Sequence, residues 1–277
     1  MKDKLLLFTK YILVIFCIIL VTFHKSYAVE EMGDYTVEIK VYQDIGNAVF
    51  ITFPVGGTML IDTGRTADIV SNIIQNIYRK DDFYKFMGKI GWTPRIDWLI
   101  ISNLSPDRIS NVRSIIRDFN VKNLYSSTDM RKLYEEDTIV TKSAVSDLLY
   151  ELGLRDLQLK LLSAGNNIEL HQGIEDLKIK VLYPPRPAVS YQDSNLCLKL
   201  IYNDVKIMYT SELTDSQQRM LINSQGGELS SDILIHPIGI SSDFLEQVGA
   251  NWHITTGDNK SIITDGNNIK ITDIQEE

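Results

Sequence analysis

Asp97-Trp-Leu-Ile-Ile-Ser-Asn-Leu-Ser-Pro-Asp-Arg-Ile-Ser-Asn111 is the stretch whose reading decides the fold. Trp98 to Ile101 is a short apolar run, long enough for one strand buried on both faces. Ser102-Asn-Leu-Ser-Pro-Asp-Arg108 follows, polar and turn-rich. Ile109, Val112, Ile115, Ile116 and Phe119 then recur at helical spacing. A buried strand, a polar loop and a helix, in that order, form the unit at which α/β proteins place their sites.

Working outward, Val37 to Tyr42 alternates between apolar and polar residues and predicts a strand with one wet face. Ala48 to Phe53 and Thr58 to Ile61 predict two more strands around the turn signal Pro54-Val-Gly-Gly57. Ile69, Ile73, Ile74 and Ile77 mark an amphipathic helix from Thr66, and Lys80 to Arg95 reads as a charged surface excursion. Beyond the central unit, strands are predicted at Val121–Tyr125, 157–162, 167–170, 177–182 and 206–209, with helices over 129–136 and 143–152.

Several of these phrases resemble the metallo-β-lactamase fold, and in particular the hydrolase-like domain of ComEC-type competence proteins. Asp44-Ile-Gly46, Asn47-Ala-Val-Phe50 and Leu60-Ile-Asp-Thr-Gly64 are similar to that family's opening. Ser102 to Asn111 stands where the family carries Thr-His-x-His-x-Asp-His and Ile-Gly-Gly. Val181-Leu-Tyr-Pro-Pro185, Asn195 with Leu196 to Leu200, Thr210-Ser-Glu212 and His236-Pro-Ile-Gly-Ile-Ser241 continue the likeness, which covers about residues 36–270. The fold it implies is an α/β, four-layer αββα sandwich, with a strand from Asp232 to His236, a helix over 244–248 and last strands within 249–255 and 261–266, shortened near the C-terminus between the last two strands.

The same resemblance implies a metal site at altered positions. Asn103 and Ser105 stand for two ligand histidines, Arg108 for a third, and Glu212 for a bridging aspartate. Asp107 keeps the family's acid, and Asp62 ends a strand where the family has an acidic residue supporting the metals. An amide, a hydroxyl and a permanent cation are not zinc ligands of choice. No metal or other cofactor is therefore expected; if one binds, Asp62, Asp107 and Glu212 would hold it, with Asp44 a further candidate nearby, as hard oxygen donors for magnesium, calcium or manganese. Asp62 has a plainer reading as a turn organiser and helix cap. Arg108 either neutralises the acidic cluster from within or points to solvent from the first helical turn. His236 and His253 read as strand residues without a catalytic role, and His171 is given none.

The 277-residue chain has 44% hydrophobic residues and a mean hydropathy of −0.06, a composition that supports a packed core. Its start differs from the rest. Lys2, Lys4 and Lys10 precede the uncharged run Tyr11 to Phe23, and Ser26-Tyr-Ala28 supplies the small residues a signal peptidase reads. This predicts a signal peptide over 1–28 and an exported domain over 29–277; the alternative is an uncleaved anchor, with membrane contact through residues 5–23 only. Removing residues 1–28 takes four of the 28 basic and one of the 36 acidic side chains, leaving 24 and 35, a net charge of −11. Such a surface disfavours nucleic acid. Cys17 leaves with the leader, so Cys197 is alone and no internal disulfide is possible. With one apolar stretch, the chain corresponds to the hydrolase-like domain without the membrane channel of a full competence protein.

Three functions compete on this reading. The first is an exported pseudoenzyme acting through an unidentified ligand or partner. The second is a divergent, phosphodiesterase- or nuclease-like hydrolase with an oxygen-only metal site. The third is a scaffold whose old cleft is filled by side chains.

Overall fold

The computed structural model describes residues 35–42, 47–54, 56–79, 93–135, 142–170, 176–255 and 257–274. The leader expected over 1–28, Cys17, Asp44, His171 and most of the 80–95 excursion lie outside the described residues. Among the described residues, no helix is long and apolar enough to cross a membrane.

The first sheet has eight strands. β1 (Val37–Tyr42), β2 (Ala48–Thr52) and β3 (Thr58–Ile61) form an antiparallel meander, and β4 (Arg95–Ile101), β5 (Asn120–Ser126) and β6 (Leu159–Leu161) extend it in parallel from β3. On its other side β13 (Asn259–Thr264) pairs antiparallel with β1 and carries β14 (Ile269–Asp273) at the edge. The second sheet has six strands, β7 (Asn167–Ile168), β8 (Leu177–Tyr183), β9 (Cys197–Tyr202), β10 (Val205–Thr210), β11 (Ile233–Ile235) and β12 (Trp252–Ile254), hydrogen-bonded in that spatial order.

Strand alternation explains why the two sheets face each other. In β4, Trp98 and Ile100 turn to one side and Leu99 and Ile101 to the other. Trp98 and Ile100 join Ile39, Ile51 and Met59 against Ile179, Leu198, Leu200 and Ile207 of the second sheet, making the inter-sheet core. Leu99 and Ile101 pack instead under helices. α1 (Ala67–Arg79), α3 (Val112–Asp118) and α5 (Lys142–Arg155) lay Ile69, Ile73, Ile115, Ile116 and Leu148 on that outer face. The far face of the second sheet is covered by α6 (Asp215–Gln225) and α7 (Ser242–Val248) through Leu221, Phe244 and Val248 over Met208 and Leu234. Each apolar face has a partner, and the result is the expected four-layer α/β/β/α arrangement.

Two details differ from the sequence expectation. The helix read from Ile109 to Phe119 is two pieces, α2 (Pro106–Ile109) and α3, separated by Ser110 and Asn111. Asn111 stands at the break, and its side-chain amide donates sideways to the carbonyls of Thr63 (3.1 Å) and Thr66 (2.6 Å). Further along, β14 lies beyond the strands read at the C-terminus, although Ile269-Lys-Ile-Thr alternates as a strand should. Between β12 and β13 the Asp258 carboxylate accepts from Thr255 N at 2.7 Å. Cys197 is free and buried, and burial pushes its thiol up to about 12 despite nearby Lys199.

Candidate functional site

Where β3 ends, Asp62 takes the left-handed conformation, φ 61°, uncommon for a residue with a side chain. Its backbone N–H still donates to Ile100 O at 2.8 Å, holding it beside the end of β4. The turn swings its carboxylate under the loop that opens at Ser102. Oδ1 accepts from Ser102 N at 2.7 Å, and Oδ2 accepts from Ser102 Oγ at 2.5 Å. Oδ2 also accepts from Arg108 Nη1 at 2.7 Å and, from the second sheet, from the Tyr209 hydroxyl at 2.5 Å. Arg108 Nη1 contacts the Tyr209 oxygen as well, and its guanidinium carbon lies 5.9 Å from the Tyr209 ring centre.

Arg108 is 1% exposed, and it is the largest of the fully buried side chains. Its backbone is clamped where it stands, since Thr63 N and Thr63 Oγ1 both donate to Arg108 O, at 2.6 and 2.9 Å. Pro106 opens α2 with a φ suited to the first helical position. Two residues later the side chain points inward, toward Asp62. Burial works against the charge of Arg108, but Tyr209, Asp62 and Glu212 outweigh it and raise its pKa. Burial also raises the pKa of Tyr209; Asp62 adds to the rise and Arg108 offsets part of it. At neutral pH Arg108 is therefore charged and Tyr209 un-ionised.

Above this buried group lies a rim of amides. Asn103 Nδ2 donates to Asn195 Oδ1 at 3.1 Å and to Glu212 Oε2 at 3.4 Å, and its Oδ1 accepts from Ser105 N at 2.9 Å. Asn195 Nδ2 donates to Glu212 O at 2.7 Å and to Gln217 Oε1 at 2.9 Å, tying the loop before β9 to the start of α6. Glu212 is half exposed, with Oε1 3.7 Å from Arg108 Nε. Arg108 Nε and Ser105 Oγ are buried without a hydrogen-bond partner among the described residues. Tyr191 lies near the same charges: burial first, then Glu212, raises its pKa, and Arg108 opposes the rise.

Of the positions singled out in the sequence, the structure thus brings together Asp62, Asn103, Ser105, Arg108 and Glu212. It does not bring in Asp107. That side chain is half exposed and faces Arg65 at 3.5 Å, because neighbouring helical positions diverge by about 100° and Arg108 has taken the inward direction. Nor does Asp62 cap the following helix; its oxygens are taken by Ser102, Arg108 and Tyr209. Of the two readings of Arg108, the internal one describes its place. Tyr209 and Gln217 carried no sequence signal beyond a polar tip at a strand or helix end, and Ser102 was read only as a motif position.

The metal pair implied by the resemblance does not fit these residues. Asp62 Oδ2 already accepts three hydrogen bonds, one from a guanidinium, and Asn103 Oδ1 is engaged by Ser105 N. Arg108 is a fixed cation paired with both Asp62 and Glu212. Among the described residues, no group of three or more His, Cys, Asp or Glu side chains is placed to hold a metal ion.

No protein-family profile matches the chain, and no curated protein matches it. Among solved structures it is similar to the Rm3 metallo-beta-lactamase, at 14% identity over 74% of this chain and 75% of that one, with a TM-score of 0.43. A metallo-beta-lactamase of Cronobacter sakazakii with a HARLDQ motif is similar at 14% identity over 72% and 74%, TM-score 0.43. A diphosphatase from the PhnP family is similar at 13% identity over 80% and 85%, TM-score 0.41. These are likenesses of fold at low identity, and none assigns an activity to this chain.

Proposed function

We propose that this is an exported, non-catalytic binding protein built on a metallo-β-lactamase-like sandwich, with an internal ion pair in place of the metal centre. The observation that carries the reading is the buried Arg108–Asp62 pair, 2.7 Å long and closed from the second sheet by Tyr209. A metal-dependent hydrolase needs an ion that lowers the pKa of a bound water. Arg108, which the resemblance puts at a ligand position, can neither coordinate a water nor lose its proton. The oxygen-only alternative needs Asp62, Asp107 and Glu212 to converge, and Asp107 pairs with Arg65 instead.

The rim supplies an acceptor that a small polar ligand would use. The half-exposed Glu212 carboxylate is open to water, whereas Ser105 Oγ and Arg108 Nε are buried and offer no exposed donor. Asp62, Arg108 and Glu212 together carry one net negative charge, which opposes phosphate groups and agrees with the acidic chain as a whole.

Hydrolysis of a chromogenic phosphodiester and of a β-lactam is expected at background with added zinc or manganese. Metal-dependent turnover that disappears in Asp107→Ala or Glu212→Gln would overturn the reading. For export, the mature chain is expected to begin at Val29 by amino-terminal sequencing; intact Met1 in the membrane fraction would support the anchor instead.

A further inference from the structure

At the β12 edge of the second sheet, β11 and β12 run parallel with Leu234 opposite His253. His236 continues β11 by one residue, its N–H donating to Ile254 O at 3.0 Å. Residues two apart on a strand share a face, so His236 follows Leu234 onto the side where His253 lies. The two rings meet edge to face, with centroids 5.6 Å apart and planes at 86°.

His236 is 6% exposed. Its Nδ1 lies 2.8 Å from Pro237 O, and a carbonyl can only accept, so Nδ1 carries the proton. Nε2 is then a bare lone pair, and it is buried with no hydrogen-bond partner among the described residues. Buried polar atoms in folded proteins are nearly always paired, and each exception calls for a cause. The contact on Nδ1 is the kind that fixes the tautomer of metal-ligating histidines. Two imidazoles sharing one ion at about 2.0–2.1 Å place their ring centres roughly 5–6 Å apart, which is the separation seen here.

We propose that His236 and His253 form a site for a divalent transition-metal ion of the zinc, copper or nickel class. His236 binds through Nε2 and His253 through a ring nitrogen. Water completes the coordination. Imidazole nitrogens favour these ions over magnesium or calcium. Two protein ligands make a weak, exchangeable site, distinct in its residues from the Asp62–Arg108 cleft.

The test is zinc and nickel titration of the untagged full chain, followed by calorimetry and by the ring signals of its four histidines in nitrogen-15 correlation spectra. One equivalent of metal is expected, with shifts confined to two histidines. Binding should weaken at least tenfold in His253→Ala, an exposed position where folding is retained, and in His236→Gln. A His24→Ala/His171→Ala background should leave it unchanged. Absence of binding, or equal affinity in His253→Ala, overturns the assignment. Loss of metal in Glu212→Gln with His253→Ala unaffected would place the ion in the cleft, overturning both this site and the ion-pair reading of the cleft.

Discussion

A guanidinium with almost no contact with water is stable only while its partners stay in place, and Arg108 draws three of them onto one nitrogen. Removing one member of such a buried pair leaves the other charged and unsatisfied. Arg108→Ala is therefore expected to lower stability by roughly 3–5 kcal/mol, read from denaturant midpoints; a change within about 0.5 kcal/mol would mean the pair contributes nothing. Arg108→Lys should recover only part of the loss, since an ammonium cannot reproduce the planar fork. His236 gives a second expectation, this one in pH. Burial lowers its pKa below 6.5, with His253 adding to the effect and Pro237 and Asp258 opposing it. The unfolded chain then binds its proton first as pH falls. Above 6.5 the residue costs nothing, and stability is lost progressively from pH 6.5 down to the folded value. In chelator-treated protein, the drop in urea midpoint between pH 7.5 and 5.5 should be smaller in His236→Gln than in wild type. The positions of the ion pair were legible in the sequence because a strand end, a turn and a helix start occur together in it. Its closure by Tyr209 was not, because that contact joins residues 147 apart in the chain.

The turn between β3 and α1 is where local geometry is least forgiving. Gly64 has φ +67°, and an added Cβ would stand 1.8 Å from Ile69 Cδ1. Gly64→Ala should cost roughly 2–4 kcal/mol from backbone strain and overpacking together. Adding Ile69→Val removes the clashing methyl and should return only the packing part, a non-additivity that a double-mutant cycle would measure. Elements with strong periodicity, such as β4 and α1, were readable from residue types alone. The break between α2 and α3 was hidden, because Ile109, Val112 and Ile116 keep helical spacing across it while Asn111 turns its amide to another loop. β14 was missed for the opposite reason: Ile269 and Ile271 pack only partly against the core, so their burial signal is weak.

Across the whole molecule, the C-terminal hairpin belongs with the beginning of the chain. β13 pairs along the full length of β1, from Val37 opposite Thr264 to Tyr42 opposite Asn259, and Ile262 is fully buried. Ending the chain after Thr255 would open the β1 edge and uncover the inter-sheet core. Such a truncated protein is expected to aggregate rather than elute as a folded monomer in size-exclusion chromatography. The sandwich itself could be anticipated from alternating strands and two classes of helix. Which strands neighbour one another is a long-range fact, and the sequence carried it only through likeness of phrase. The tie between Asp62, Arg108 and Tyr209 also sets a direction on laboratory evolution. A walk toward a metal centre that begins at Arg108→His leaves the Asp62 carboxylate buried without its cation before any ligand set exists. Changing Asn103 and Ser105 to His first, and Arg108 last with metal present, delays that penalty until a bound ion can offset it. The order of steps, more than their number, decides whether this scaffold can acquire a metal centre.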